Sequence, residues 1–69
     1  MTTSITEAET LTGLTLTRNS ELAWVLSHGE ARTIEANTKA SGHDCHVTQR
    51  VNGLASVVVT LNGVVWYVA

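Results

Sequence analysis

Two Asn-Gly pairs, Asn52-Gly53 and Asn62-Gly63, stand ten residues apart near the end of this chain. Asn and Gly both tolerate positive φ, and a two-residue turn built from them carries the twist that antiparallel strands require. No short sequence signal for a hairpin is stronger. The flanking segments, 45–51, 54–61 and 64–69, are rich in valine and read as strands. Together they predict a three-stranded antiparallel meander with 54–61 in the middle. Nine valines and eleven threonines in 69 residues point the same way, because β-branched side chains suit a pleated surface better than a helix.

Two-residue loops would fix the pairing. Val51 would face Leu54, Val47 would face Val58, and Leu61 would face Val64. One face would then carry Cys45, Val47, Gln49 and Val51 beside Leu54, Ser56, Val58 and Thr60, and beside Val65 and Tyr67. The other would carry His46, Thr48 and Arg50 beside Ala55, Val57, Val59 and Leu61, and beside Val64, Trp66 and Val68. Neither face is plainly polar, so the expectation is that both are covered.

The first forty residues are less decisive. Leu14-Thr15-Leu16-Thr17 alternates as a strand does and stops at Arg18-Asn19-Ser20. Residues 20–28 fit a helix capped by Asn19 or Ser20 and closed by Gly29. They also fit a strand, with Gly29-Glu30 turning into another over 31–38. The strand puts Trp24 on one face with Leu22 and Leu26, and burying apolar surface is worth roughly 25 cal/mol per Å², so the strand is preferred. Ser4-Ile5-Thr6-Glu7 matches a helix capping box, with Gly13 as a stop, yet a frayed terminal segment is the simpler expectation for 1–10. The fold class expected is mainly β: about five or six short strands forming a small barrel or sandwich, in one small domain over 11–69. The alternative is α+β, with one helix at 20–28 packed on the sheet.

A chain this short buries only about 60% of its unfolded surface, and such chains draw on a disulfide, a metal or a partner for stability. Cys45 is the single cysteine, so no disulfide can form within the chain. The formal charge is −2, and the four basic residues are scattered. Nucleic-acid binders cluster theirs to neutralise phosphates, so no nucleic-acid partner is expected. Met1-Thr2-Thr3-Ser4 carries no positive charge and precedes no apolar run, unlike a signal peptide. Residues 51–69 are uncharged, but the Asn-Gly pairs interrupt them, so no membrane partner is expected either and a cytoplasmic location is the default.

Reactive side chains concentrate in Gly42-His43-Asp44-Cys45-His46. Imidazole, carboxylate and thiolate all bind transition metals. On a strand, however, Cys45 and His46 face opposite ways. A metal site would therefore need His43 and Cys45 together with His28 or His46, or a ligand from another subunit. The plainer reading is a polar loop entering a strand, with Cys45 packed as a small apolar group and no cofactor or metal bound. A Cys45 nucleophile lacks an oxyanion hole, and no pair of carboxylates is spaced for acid–base work. No catalytic residue is expected.

Adjacent Trp66 and Tyr67 must face opposite ways, so one of them leaves the core. The last strand is apolar on both faces, and it lacks the charge or proline that protects natural sheet edges. Its cover must come from Leu14–Arg18, from the same strand of a second subunit, or from a foreign strand. The function expected is thus a non-catalytic protein-interaction module, self-associating as a homodimer or higher homo-oligomer through the C-terminal strand. Its contact residues would be Val64, Trp66, Tyr67, Val68 and Trp24. A small accessory or inhibitor protein of a phage or mobile element belongs to this class. The alternatives are a metal-binding regulatory domain on His43 and Cys45, and a small cysteine-dependent enzyme or ligand carrier.

Overall fold

A computed structural model describes residues 4–69. The chain runs α1 (Ile5–Thr12), β1 (Leu16–Thr17), a 3₁₀ turn at Ser20–Leu22, β2 (Leu26–Ser27), α2 (His28–Ala40), β3 (Asp44–Gln49), β4 (Leu54–Leu61) and β5 (Val64–Val68). It is an α+β fold in which the sheet dominates. Five antiparallel strands curl into a half-barrel, with both helices packed against them. The mainly-β expectation is corrected to that extent, in the direction of the α+β alternative, and the sheet is a curled half-barrel where a small barrel or sandwich was expected.

Both helices start from the same local device. Ser4 caps α1 by accepting the Glu7 N–H at 3.2 Å, and Gly13 (φ 72°) closes the helix by donating to the Glu9 carbonyl. A helix thus begins at Ile5 where a frayed segment was expected over 1–10; residues 1–3 of that expectation lie outside the described residues. Ser27 caps α2 by accepting from the Glu30 N–H at 3.3 Å. Hence 28–40 is a helix, not a turn at Gly29-Glu30 followed by a strand over 31–38. Its inner stripe is Ala31, Ile34 and Thr38, spaced as one helical face, while Glu35 and Lys39 pair at 3.6 Å one turn apart. Neither a helix nor a long strand occupies 20–28; a single 3₁₀ turn leads into the two residues of β2.

β4 is the spine. Residues 58–60 pair with β3 on one edge and β5 on the other, and β2 continues the β5 side by pairing Leu26 with Ala55. β1 then flanks β5, with Leu16 opposite Val68 and Thr17 opposite Tyr67. Of the three covers considered for the last strand, the one found is this chain's own first strand. Asn62 (φ 50°) and Gly63 (φ 78°) make the expected two-residue turn, and Leu61 faces Val64 as expected.

The other hairpin is corrected by one residue. Arg50 donates to the Leu54 carbonyl at 2.7 Å, so Val51-Asn52-Gly53 forms a three-residue loop. Val47 therefore faces Val57, not Val58. A slip of one residue turns every side chain of a strand to the other face. Here it moves His46 and Thr48 off the face of Val57 and Val59 and brings Cys45 and Val47 onto it. That face is now apolar in all of its strands: Leu16, Leu26, Cys45, Ala55, Val57, Val59, Leu61, Trp66 and Val68 form one core with Ala8 and Ala31 of the helices. The expectation that both faces are covered gives way to one covered face and one open face.

Candidate interaction surface

The helices lie on one side of the sheet, α2 against β2, β3 and β4 and α1 against β1. The opposite face is built from rows fixed by the strand register: Asp44–Thr60–Val65, His46–Val58–Tyr67–Thr17, Thr48–Ser56 and Ser27–Leu54. Neither described helix packs its buried residues on these rows. Val58 (4% exposed) and Ser56 (0%) are nonetheless shut off from water by their neighbours, while Val65 and Leu54 remain exposed. The Ser56 hydroxyl is buried without a hydrogen-bond partner.

The segment leading into β2 carries exposed apolar side chains. Leu22, Trp24 and Val25 are all exposed, Trp24 at 52%. Their backbone is held at several points. Asn19 accepts from the Glu21 N–H at 2.9 Å, the Trp24 N–H donates to the Val68 carbonyl at 2.8 Å, and the Arg50 guanidinium donates to the Ser20 carbonyl at 3.4 Å. That last bond and the Ser27–Leu54 pairing bring the β3–β4 loop alongside, with Val51 and Leu54 both exposed. Exposed apolar residues thus occur on two segments, 22–25 and the β3–β4 loop with the start of β4, whose backbones are held near one another, and the Trp24 backbone is pinned to the sheet.

Of the five contact residues expected from sequence, Trp24 alone lies in this patch. It stands in solvent and does not pack with Leu26, which is buried in the core. Trp66 (3% exposed) and Val68 belong to the core, and Val64 packs against its edge. The Arg18 guanidinium sits 5.3 Å from the centre of the Trp66 ring, a cation–π contact. Tyr67 is the member of the aromatic pair that leaves the core, half-buried on the open face. Leu22, Val25, Val51 and Leu54 were missed, because isolated surface leucines and valines carry no periodic signal.

The His/Cys cluster is dispersed by the fold. Cys45 is buried under α2, and His46 is exposed on the other side of the strand. His43 Nε2 lies 3.1 Å from the Leu11 carbonyl at the end of α1, and His28 begins α2. Among the described residues no three His, Cys, Asp or Glu side chains stand close enough to hold a metal ion. Burial, then the nearby Glu35 carboxylate, push the Cys45 thiol above its ordinary 9.0, only partly offset by a hydrogen bond with Thr38 and the charge of Lys39. A buried thiol held protonated is a poor nucleophile at neutral pH. Two hollows, of about 130 Å³ beside Thr12, Leu14 and Thr38 and about 240 Å³ on the outside of α1, are smaller than the roughly 300–1,000 Å³ of typical small-molecule sites. No described helix is long and apolar enough to cross a membrane. Compared with protein-family models, curated proteins and solved structures, the chain matches none.

Proposed function

We propose that this chain is a non-catalytic protein-interaction module that docks a protein partner on the patch of Leu22, Trp24, Val25, Val51 and Leu54. The observation that carries this reading is Trp24, half in solvent on a backbone anchored by its bond to Val68. Tryptophan is the side chain most enriched among residues that dominate binding energy, and it does so from the centre of an apolar patch. Pre-anchoring matters as well, because a backbone already ordered loses less entropy on binding. A patch of exposed apolar side chains on so small a domain is a liability unless something covers it.

The test is affinity capture from the cells that make the protein, run in parallel with wild type, Trp24→Ala and Val51→Glu. A protein retained by wild type and lost from both variants, with unchanged melting temperatures, is the expected result. Both side chains are exposed, so stability should shift by no more than about 0.5 kcal/mol. Equal capture by all three would remove this patch from consideration.

A further inference from the structure

β3 pairs with β4 on one edge, and among the described residues no strand lies on its other edge. Hydrogen bonding alternates along an antiparallel pair. Because Arg50 bonds to Leu54 across the hairpin, residues 44, 46 and 48 direct their backbone groups towards β4. Cys45, Val47 and Gln49 direct theirs outward, and none of the described backbone groups meets them there. The strand has no proline and no bulge, the usual guards of an edge.

The geometry points to a second copy of this chain as the occupant of that edge, β3 pairing with β3 antiparallel about a two-fold axis through Val47. This extends the reading of the chain as an interaction module to the free edge of β3, which adjoins the Trp24 patch at Arg50. The register follows from which groups are free: Cys45 would exchange bonds with Gln49 of the second copy, and Val47 with its own equivalent. The remaining positions are then fixed, and they put Asp44 opposite Arg50 at both ends of the seam. Asp44 is exposed and enters no ion pair among the described residues. Within one chain these two charges lie at opposite ends of the strand, roughly 20 Å apart at about 3.3 Å per residue, so they cannot pair there. The Arg50 guanidinium bonds Ser20 on the β2 side of β4, and in the dimer it would turn across the free edge to the carboxylate of Asp44. Opposite charges directly across a strand pair favour it, and like charges oppose it. Val47, half-buried at the edge of the core, would be covered by its own copy. A two-fold axis perpendicular to the sheet keeps both α2 helices on one side, so the two cores would continue into each other.

Sedimentation equilibrium from micromolar to millimolar concentration tests the seam. Wild type should dimerise reversibly. Asp44→Arg alone and Arg50→Asp alone should each weaken the dimer by about tenfold or more, since each substitution sets like charges opposite one another at both ends. Mixing the two variants should restore the dimer, because the heterodimer has opposite charges at both ends. Amide exchange on the unaltered protein gives a second readout: Cys45, Val47 and Gln49 should slow as concentration rises. A wild type monomeric throughout, single variants that dimerise like wild type, or concentration-independent exchange at those amides would each overturn the seam. Partner capture that depends on Trp24 and is unaffected by Asp44→Arg would still stand in that case. An intact dimer with no such capture would mean the reverse.

Discussion

Ser56 sits on the open face beside Thr48 with its hydroxyl excluded from water and unpartnered. A buried polar group without a hydrogen bond costs about 1–3 kcal/mol, whereas the methyl of alanine costs nothing to desolvate. Ser56→Ala should therefore add about 1 kcal/mol of stability, read as a higher urea midpoint at unchanged slope; a lower midpoint would show that the hydroxyl has a partner in solution. Cys45 makes a prediction in pH. Its thiol is held above 9.0 by burial first and by Glu35 second, so the fold favours the protonated form. That contribution is complete below pH 9 and is lost as pH rises through the raised value. The melting temperature of wild type should fall faster than that of Cys45→Ala on going above pH 9, and the two should run parallel below it. Equal slopes at alkaline pH would mean that the thiol ionises as freely in the fold as in the unfolded chain. Trp66 and Tyr67 illustrate how little residue type alone decides. They are neighbours in sequence, yet one is core and the other open, because a strand alternates.

At the scale of elements, caps and turns account for most of what is local. Ser27 ends β2 and caps α2 at once, so Ser27→Ala should cost about 1 kcal/mol of stability, the usual worth of an N-cap. Gly63 has φ 78° and open space where a Cβ would stand. Any loss in Gly63→Ala therefore comes from backbone strain alone, about 1–2 kcal/mol, measurable by urea unfolding; a neutral result would argue that the turn relaxes. The Asn62-Gly63 hairpin was readable because a two-residue turn specifies its own register. Asn52-Gly53 offered the same letters and takes positive φ at both residues as Asn62-Gly63 does, but Val51 joined the loop. The apolar face decided the matter, since only the slipped register aligns Cys45 and Val47 with Val57 and Val59. In the structure Ser27-x-x-Glu30 has the same form as Ser4-x-x-Glu7 and was not read as a helix start. The rival turn at Gly29-Glu30 obscured it, although Gly29 lies inside the first turn of α2.

The whole molecule depends on its last strand, which lies between β4 and β1 and supplies Trp66 and Val68 to the core. A domain of this length holds roughly 3–10 kcal/mol of stability at 0.05–0.15 kcal/mol per residue, and burying a side chain such as valine accounts for about 1.5–3 of it. A chain ending at Trp66 loses Val68 and both residues that β1 pairs with. It should show no cooperative thermal transition by near-ultraviolet circular dichroism; a retained transition would demote β5 from its central place. The site was less legible than the fold for a reason of scale. The proposed Trp24 patch draws on residues 22–25 and on Val51 and Leu54, segments brought near each other only because β2 pairs with the start of β4. By itself the sequence determined the meander, its tight second turn, the alternation that separates Trp66 from Tyr67, and the separation of Cys45 from His46. Each of these follows from the geometry of neighbouring residues. Only the tertiary structure decided that 28–40 is helical, that β3 is shifted by one residue, and that both helices pack on one face of the sheet. Those outcomes depend on which apolar surfaces can be buried together, and that competition is settled between segments distant in the chain.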